Sequence, residues 1–464
     1  MPVDLTIPEI TVLLFGSLLG TLLTAVALRR AGPVSLNTPA DDRTCFVFCD
    51  TELVDATGPA SVLAQQAGSD AGDHWQDLRA VFRARFGDLG PKPQQEVRRF
   101  ATKHPLSMAM GKVTQTQATV HDGDVASDIA PLPEDLQEVA DHIKATCYFL
   151  DADVVGICEI PDFAWYSHDI DGNPITPIHK YAIVLLIDQG FETMEASSGD
   201  DWISGAQSFR AYLKGSTIAC TVAGYIRELG YPARAHTNSD SEVLHNPLTI
   251  LAGLGELSRI GEVVLNPFLG PRFKTAVITT DLPMAVDQPI DFGLQDFCGK
   301  CRKCARECPC GAISFGDKVM FNGYEMWKPD VEACTRYRVT NPNGSACGRC
   351  MKMCPFNKKG LMQHRLALWV AIRMAPLRKL LIWLDDALGY GKRNPLWKWW
   401  LDLEIRDGKV FCPANTNQRD LQLKRPIPKN KIIPIYPVET IPPPGSHEAH
   451  PLDRQDAQAR AAKK

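Results

Sequence analysis

Of the chain's 15 cysteines, eight fall into two runs of fixed spacing between Cys298 and Cys354. The first run is Cys298, Cys301, Cys304 and Cys308 followed by Pro309, a C-x2-C-x2-C-x3-C-P pattern. The second is Cys334, Cys347, Cys350 and Cys354 followed by Pro355, in which the first cysteine is displaced and the rest keep the spacing. Three thiolates two residues apart in a tight loop can reach three corners of one iron–sulfur cube. The fourth, set off by three residues and a proline, points to a neighbouring cube. The spacing therefore predicts two [4Fe–4S] clusters with crossed ligands. One takes Cys298, Cys301, Cys304 and Cys354; the other takes Cys308, Cys334, Cys347 and Cys350. Four-thiolate zinc also uses C-x2-C pairs, but the order of eight cysteines and both Cys-Pro endings favour clusters. Cys310 is a competing ligand two residues after Cys308. Cys147, Cys158, Cys220 and Cys412 read as small buried hydrophobes, and the Cys45/Cys49 pair has no visible third ligand. Two adjacent one-electron centres form a relay, so the chain must deliver electrons to something else.

The receiver is indicated by the segment ahead of the clusters. It contains Ala252-Gly253-Leu254-Gly255-Glu256, Arg259 and Gly261, then Gly270-Pro271-Arg272 and Thr280-Asp281-Leu282-Pro283. Upstream lie ADVVGICEI (152–160) and AGYIRELGYPA (223–233), and downstream WLDDALGYGKRNPLWKWW (383–400). Jointly, over about residues 135 to 405, this pattern resembles the catalytic subunits of reductive dehalogenases. The resemblance implies a nitroreductase-like α/β (α+β) domain that buries a corrinoid, with a two-cluster ferredoxin-like module beside it. It implies a cobalamin bound base-off, and no DxHxxG motif that would supply a histidine to the cobalt is present. Gly253, Gly255, Arg259 and Gly261 are then the expected cofactor-facing residues, because glycine lets backbone approach a bulky ring.

Reductive removal of halide needs a reducing centre, a proton donor for the carbon and positive charge near the departing anion. By order and context, Tyr212 matches the family's catalytic tyrosine. Lys274 and Arg338 are the candidate cations that would stabilise its phenolate, and Asn238 could hydrogen-bond substrate or tyrosine. Arg272 competes with Lys274 for its role, and Tyr225 is an alternative acid. The implied reaction is R–X plus two electrons and a proton giving R–H plus halide, with a small organohalide as substrate.

These residues need elements to hold them. LPEDLQEVADHIKATCYFL carries apolar residues at helical spacing, ADVVGICEI and YAIVLLID read as strands, 211–229 as helix, and AVITTDLPM as strand. LALWVAIRMAPLRKLLIWLDDAL reads as two helices broken at Pro376. Residues 10–28 carry no charge and as a helix reach about 28 Å, enough to span a bilayer. Arg29 and Arg30 follow directly, which predicts a transmembrane helix with the catalytic part on the cytoplasmic side of the cell membrane. The expected organisation is an anchor (1–32), an N-terminal lobe (33–134), a corrinoid-binding catalytic domain (135–291), a cluster module (292–362) and a C-terminal helical segment with an extended tail (363–464). No fused reductase domain is seen, so the electron donor is expected to be a separate ferredoxin, flavodoxin or membrane donor. The net charge of −4 argues against a nucleic-acid partner. Two other readings stand beside this one: an epoxyqueuosine-reductase-like tRNA-modifying enzyme, and a membrane-tethered electron carrier without catalysis.

Overall fold

The computed structural model describes residue 84 and residues 87–100, 104–167, 174–199, 203–321, 324–341, 347–358, 362–392, 404–406 and 409–411. All of them lie within one compact unit, Met1–Gln418. The charge-free segment 10–28, Cys45, Cys49 and Cys412 lie outside the described residues. Among the described residues, no helix is long and apolar enough to cross a membrane.

In chain order the first half contains helices α1 (Pro91–Phe100), α2 (Pro105–Thr116) and α3 (Leu136–Phe149), then strands β1 (Val154–Glu159) and β2 (Tyr181–Asp188). Next come α4 (Phe191–Ala196), α5 (Ile203–Glu228), β3 (Ala233–His236), α6 (His245–Leu251), β4 (Glu256–Leu257), β5 (Val264–Leu265) and β6 (Phe273–Thr280). Four strands form one sheet in the order β1-β2-β6-β3, and every neighbouring pair is antiparallel. Sequence alternation of helix and strand thus yields an antiparallel α+β layer rather than a parallel sheet.

The run YAIVLLI (181–187) is apolar throughout because both faces of β2 are covered. Ile183, Leu185 and Ile187 point to a core shared with α3 and α5. Ala182, Val184 and Leu186 point to a second core with Trp165, Val243 and Leu248. Burying a large aliphatic side chain stabilises by about 1.5–3 kcal/mol, so this central strand anchors the fold. Asp135 caps α3 by accepting from the Gln137 N–H at 2.8 Å. Val139, Ile143 and Cys147 are buried on that helix, while Leu136 is exposed.

Helix α5 begins at Ile203, eight residues before the helix expected from the sequence. Its first turns carry Ser204, Gln207 and Ser208, all buried, so the apolar periodicity that marks a helix is interrupted where the helix lines a cavity. From the N-terminal lobe, α2 packs along α5.

The second half holds α7 (Leu294–Cys301), α8 (Lys303–Arg306), a hairpin of β7 (Val319–Phe321) and β8 (Tyr324–Met326), α9 (Val331–Thr340) and α10 (Arg349–Lys352). The helices α11 (Met362–Arg373) and α12 (Arg378–Ala387) follow, separated by a 3-10 turn at Ala375–Leu377 that contains Pro376. Val339 of α9 shares a small apolar cluster with Leu89 and Val97 of the N-terminal lobe. Residue 291 marks no gap in packing: Leu265 shares one apolar cluster with Phe292, Phe297, Trp327, Phe356 and Ala371.

Candidate active site and cysteine cavities

The two cysteine runs fold around two cavities. Helices α7 and α8 are joined by Arg302 in a left-handed conformation, φ 55°, uncommon for a residue other than glycine. That reversal keeps Cys298, Cys301 and Cys304 on one side, and Cys354 arrives from beyond α10. These four line the first cavity together with Arg259, Phe297 and Phe356. Cys308, Cys310, Cys334, Cys347 and Cys350 line the second. The fourth cysteine of each run therefore stands with the other run's set, the grouping expected from the crossed pattern.

Burial dominates the thiols of the first set. It pushes Cys301 up to about 11 and Cys304 up to about 12, and raises Cys298 and Cys354 further. Such thiols release their protons readily only where a bound cation takes the proton's place. Among the residues around the first cavity the metal-ligating donors are all sulfur, the donor set of an iron–sulfur or a zinc–thiolate centre. In the second, burial raises Cys334 and Cys347, and the positive charge of Arg338 opposes it.

The same second cavity brings in the candidate cations. Lys274 and Arg338 both line it, with Gln189, Ser204, Gln207, Ser208, Glu262 and Tyr337. Lys274 sits at the start of β6 opposite Ile187, on the sheet face that α5 covers. Its ammonium lies 4.7 Å from the centre of the Tyr212 ring. Tyr212 is 4% exposed. A cation over an aromatic face is attracted by the ring quadrupole, and it equally favours negative charge developing on the phenol oxygen. The structure thus sets Tyr212 against Lys274, and Lys274 shares the second cavity with Arg338; Tyr212 itself is not among the residues lining that cavity. Asn238 is buried on the loop after β3, and its Oδ1 has no hydrogen-bond partner among the described residues. It is not among the residues lining the second cavity.

The two competitors are committed elsewhere. Arg272 donates to both carboxylate oxygens of Asp188 at 2.9–3.2 Å, to Asn357 Oδ1 at 3.1 Å and to the Lys358 carbonyl at 3.2 Å. It ties the sheet to the cysteine module, with four of its five N–H groups already engaged. The Tyr225 hydroxyl pairs with His142 Nε2 at 2.8 Å, toward the surface.

The expected cofactor-facing residues need correction. A Cβ on Gly253 would meet the Gln288 carbonyl oxygen at 2.4 Å, on Gly255 the Leu265 oxygen at 2.3 Å and on Gly261 the Pro329 ring at 2.5 Å. Protein already fills the space that these glycines leave, so they serve close packing of the chain on itself. Arg259 is buried and donates to the carbonyls of Cys298 (2.8 Å), Ser314 (2.9 Å) and Gly316 (3.0 Å), with its guanidinium 4.4 Å from the Trp327 ring centre. It fixes the loops around the first cavity rather than presenting itself to a ring.

The sequence reading missed the polar lining on α5. Gln207 Oε1 is a buried acceptor with no partner among the described residues, and it lines the second cavity. Also missed was Glu256 in β4, whose Oε1 accepts from the Phe292 and Leu294 N–H groups at 3.1 and 3.3 Å. Burial, reinforced by Asp291, pushes its carboxyl up to about 7. The folded state therefore holds this proton more tightly than the unfolded chain does. Its stabilising effect is present at low pH and is lost as pH rises toward 7 and beyond, by about 3 kcal/mol. Glu256→Gln should remove that slope and melt higher than the parent at pH 8, with little difference at pH 5. Thermal unfolding at the two pH values checks this; a variant less stable at pH 8 than at pH 5, like its parent, contradicts it.

No protein-family model matches the chain. A tetrachloroethene reductive dehalogenase of Sulfurospirillum multivorans is 34% identical over 193 residues, 40% of this chain and 36% of that protein. A solved structure of the catabolic reductive dehalogenase NpRdhA, in complex with 3-bromo-4-hydroxybenzoic acid, is 50% identical with a TM-score of 0.67. The chain is a homologue of the reductive dehalogenases. The likeness to NpRdhA covers 82% of this chain and 58% of that one. A reductive dehalogenase structure described as suggesting a mechanism for B12-dependent dehalogenation matches equally, at 50% identity and TM-score 0.67. The chain spans about a third of the curated dehalogenase's length and 58% of the solved one's. The Tyr212–Lys274 pair and both cysteine cavities lie in the part of the chain, 135–405, whose motifs resemble these enzymes.

Proposed function

We propose that this dehalogenase homologue removes halide reductively from an organohalide, using a corrinoid fed by two [4Fe–4S] clusters. The observation that carries the reading is Lys274, which lines the second cysteine cavity together with Arg338 and lies over the ring of Tyr212. A proton source, positive charge and an electron-delivery site share one region. The two four-cysteine sets would hold the clusters, with no other ligand type required. The lining amides and hydroxyls suit a corrinoid's amide-fringed rim, and Gln207 Oε1 is an acceptor free to take one of its N–H groups.

A corrinoid held here and reduced through the clusters would supply the electrons for breaking the carbon–halogen bond. The residues of the chain do the rest. Tyr212 donates its phenolic proton to the carbon that loses halide. Lys274 stabilises the phenolate left behind. Arg338 and Lys274 together favour a substrate that is itself anionic, such as a halogenated phenol or hydroxybenzoate. The ligand bound to NpRdhA is of that kind. The test is halide release under anaerobic reduction, comparing a bromo-hydroxybenzoate with tetrachloroethene. Preferred turnover of the phenolic substrate supports the reading, and equal or reversed preference removes the role given to the two cations.

We also propose that residues 10–28 tether the protein to the cytoplasmic side of the cell membrane and that a separate one-electron carrier reduces it. The full chain should stay with membranes through a high-salt wash and leave only in detergent. Deletion of residues 10–28 should release it to the soluble fraction. Release of the full chain by salt alone would sink the anchor.

A further inference from the structure

The second cavity offers one cysteine more than a cluster needs. Cys308, Cys310, Cys334, Cys347 and Cys350 all line it. The Sγ atoms of Cys308 and Cys310 are 3.7 Å apart. Two sulfurs each about 2.3 Å from one tetrahedral metal stand about 3.8 Å apart. The pair thus has the spacing of two ligands to a single metal position. An iron of a [4Fe–4S] cube spends three of its four positions on cluster sulfide and takes one protein thiolate. Only one of the two could ligate such an iron at a time.

Local structure keeps both sulfurs there. Pro309 separates them, and its fixed φ limits how far they can diverge. The Ala312 N–H donates to Cys308 Sγ at 3.3 Å, and Gly311 turns the chain with φ +66°. Both cysteines are partly buried.

We infer that Cys310 is a reserve ligand for the cluster corner that Cys308 occupies. When Cys308 is lost or displaced, the Cys310 thiol gives its proton to solvent and its thiolate takes the vacant iron position. No electron changes hands, so no oxidant or reductant is required. The inference rests on the two-cluster reading above, and the first set of four cysteines serves as the internal control.

The experiment uses the full chain, reconstituted anaerobically with iron and sulfide, and counts both per chain. Cys310→Ser and Cys308→Ser should each keep about eight irons, and the double variant about four. The reduced Cys308→Ser protein should show an altered electron paramagnetic resonance signal from one cluster and an unaltered one from the other. A fall to about four irons in Cys308→Ser alone overturns the inference. A parent protein that takes up one zinc per four-cysteine set and fails to build clusters from iron and sulfide overturns the cluster reading itself. Should Cys308→Ser fail to fold, chelator challenge of Cys310→Ser decides: iron loss from one cluster several times faster than in the parent supports a reserve ligand, and identical loss refutes it.

Discussion

Replacing Tyr212 with Phe should lower halide release by about 10²–10⁴-fold, the range typical of a positioned general acid, while iron and cobalt content stay at the parental level. The substitution is chosen because the ring does two jobs. Its body packs at 4% exposure against the sheet, and its face carries the Lys274 ammonium at 4.7 Å. Phenylalanine keeps both and removes only the hydroxyl, so the loss in stability should be about 1 kcal/mol. Lys274→Met should also lose activity, because the phenolate formed on proton transfer would lose the cation that lies against its ring. If the proton came from water instead, Tyr212→Phe would retain rates within about twofold of the parent, and the assignment would fail. Initial rates of halide release, with metal content measured on the same samples, separate the two cases.

Asp385→Asn should destabilise the protein by about 3–5 kcal/mol, toward the lower end of that range, and weaken iron retention in the first cavity. Lys303 lies between Arg302 and Cys304 and is only 1% exposed. Its ammonium is 2.5 Å from Asp385 Oδ2, 3.1 Å from Asp386 Oδ1 and 2.9 Å from the Tyr390 carbonyl. Burial works against its charge, but Asp385 and Asp386 outweigh it and hold it above the usual lysine range. Asp385 is also 2.7 Å from Lys358. Asparagine preserves the shape, takes the carboxylate from Lys358 and leaves Lys303 only that of Asp386, which Arg306 shares. The cost is tempered by that carboxylate. Thermal unfolding of the loaded protein reads it, and a melting temperature within a degree of the parent would show that the buried pair contributes nothing net.

Much of this arrangement was legible in the sequence, for physical reasons that differ from site to site. The spacing of the two cysteine runs suggested two sets of thiols, and two cavities do collect them, the second with Cys310 added. Doubly covered strands are apolar at every position, which made β1 and β2 visible. The start of α5 was hidden because a helix lining a polar cavity presents Ser204, Gln207 and Ser208 where the pattern requires apolar residues. The glycines of 253–261 misled for a different reason. A glycine reports that something approaches closely, but not whether the neighbour is a ligand or the chain's own backbone; here it is the carbonyls of Gln288 and Leu265 and the ring of Pro329. Lys274 and Arg272 could not be told apart from sequence, since what commits Arg272 is Asp188 and Asn357, each more than 80 positions away.

The measurement that bears most directly on the central claim is the iron and cobalt content of the full chain after anaerobic reconstitution with iron, sulfide and cobalamin. About eight irons and one cobalt per chain are expected, with the visible spectrum of base-off cobalamin. Eight irons without cobalt uptake would contradict that claim and leave an electron carrier in place of a dehalogenase.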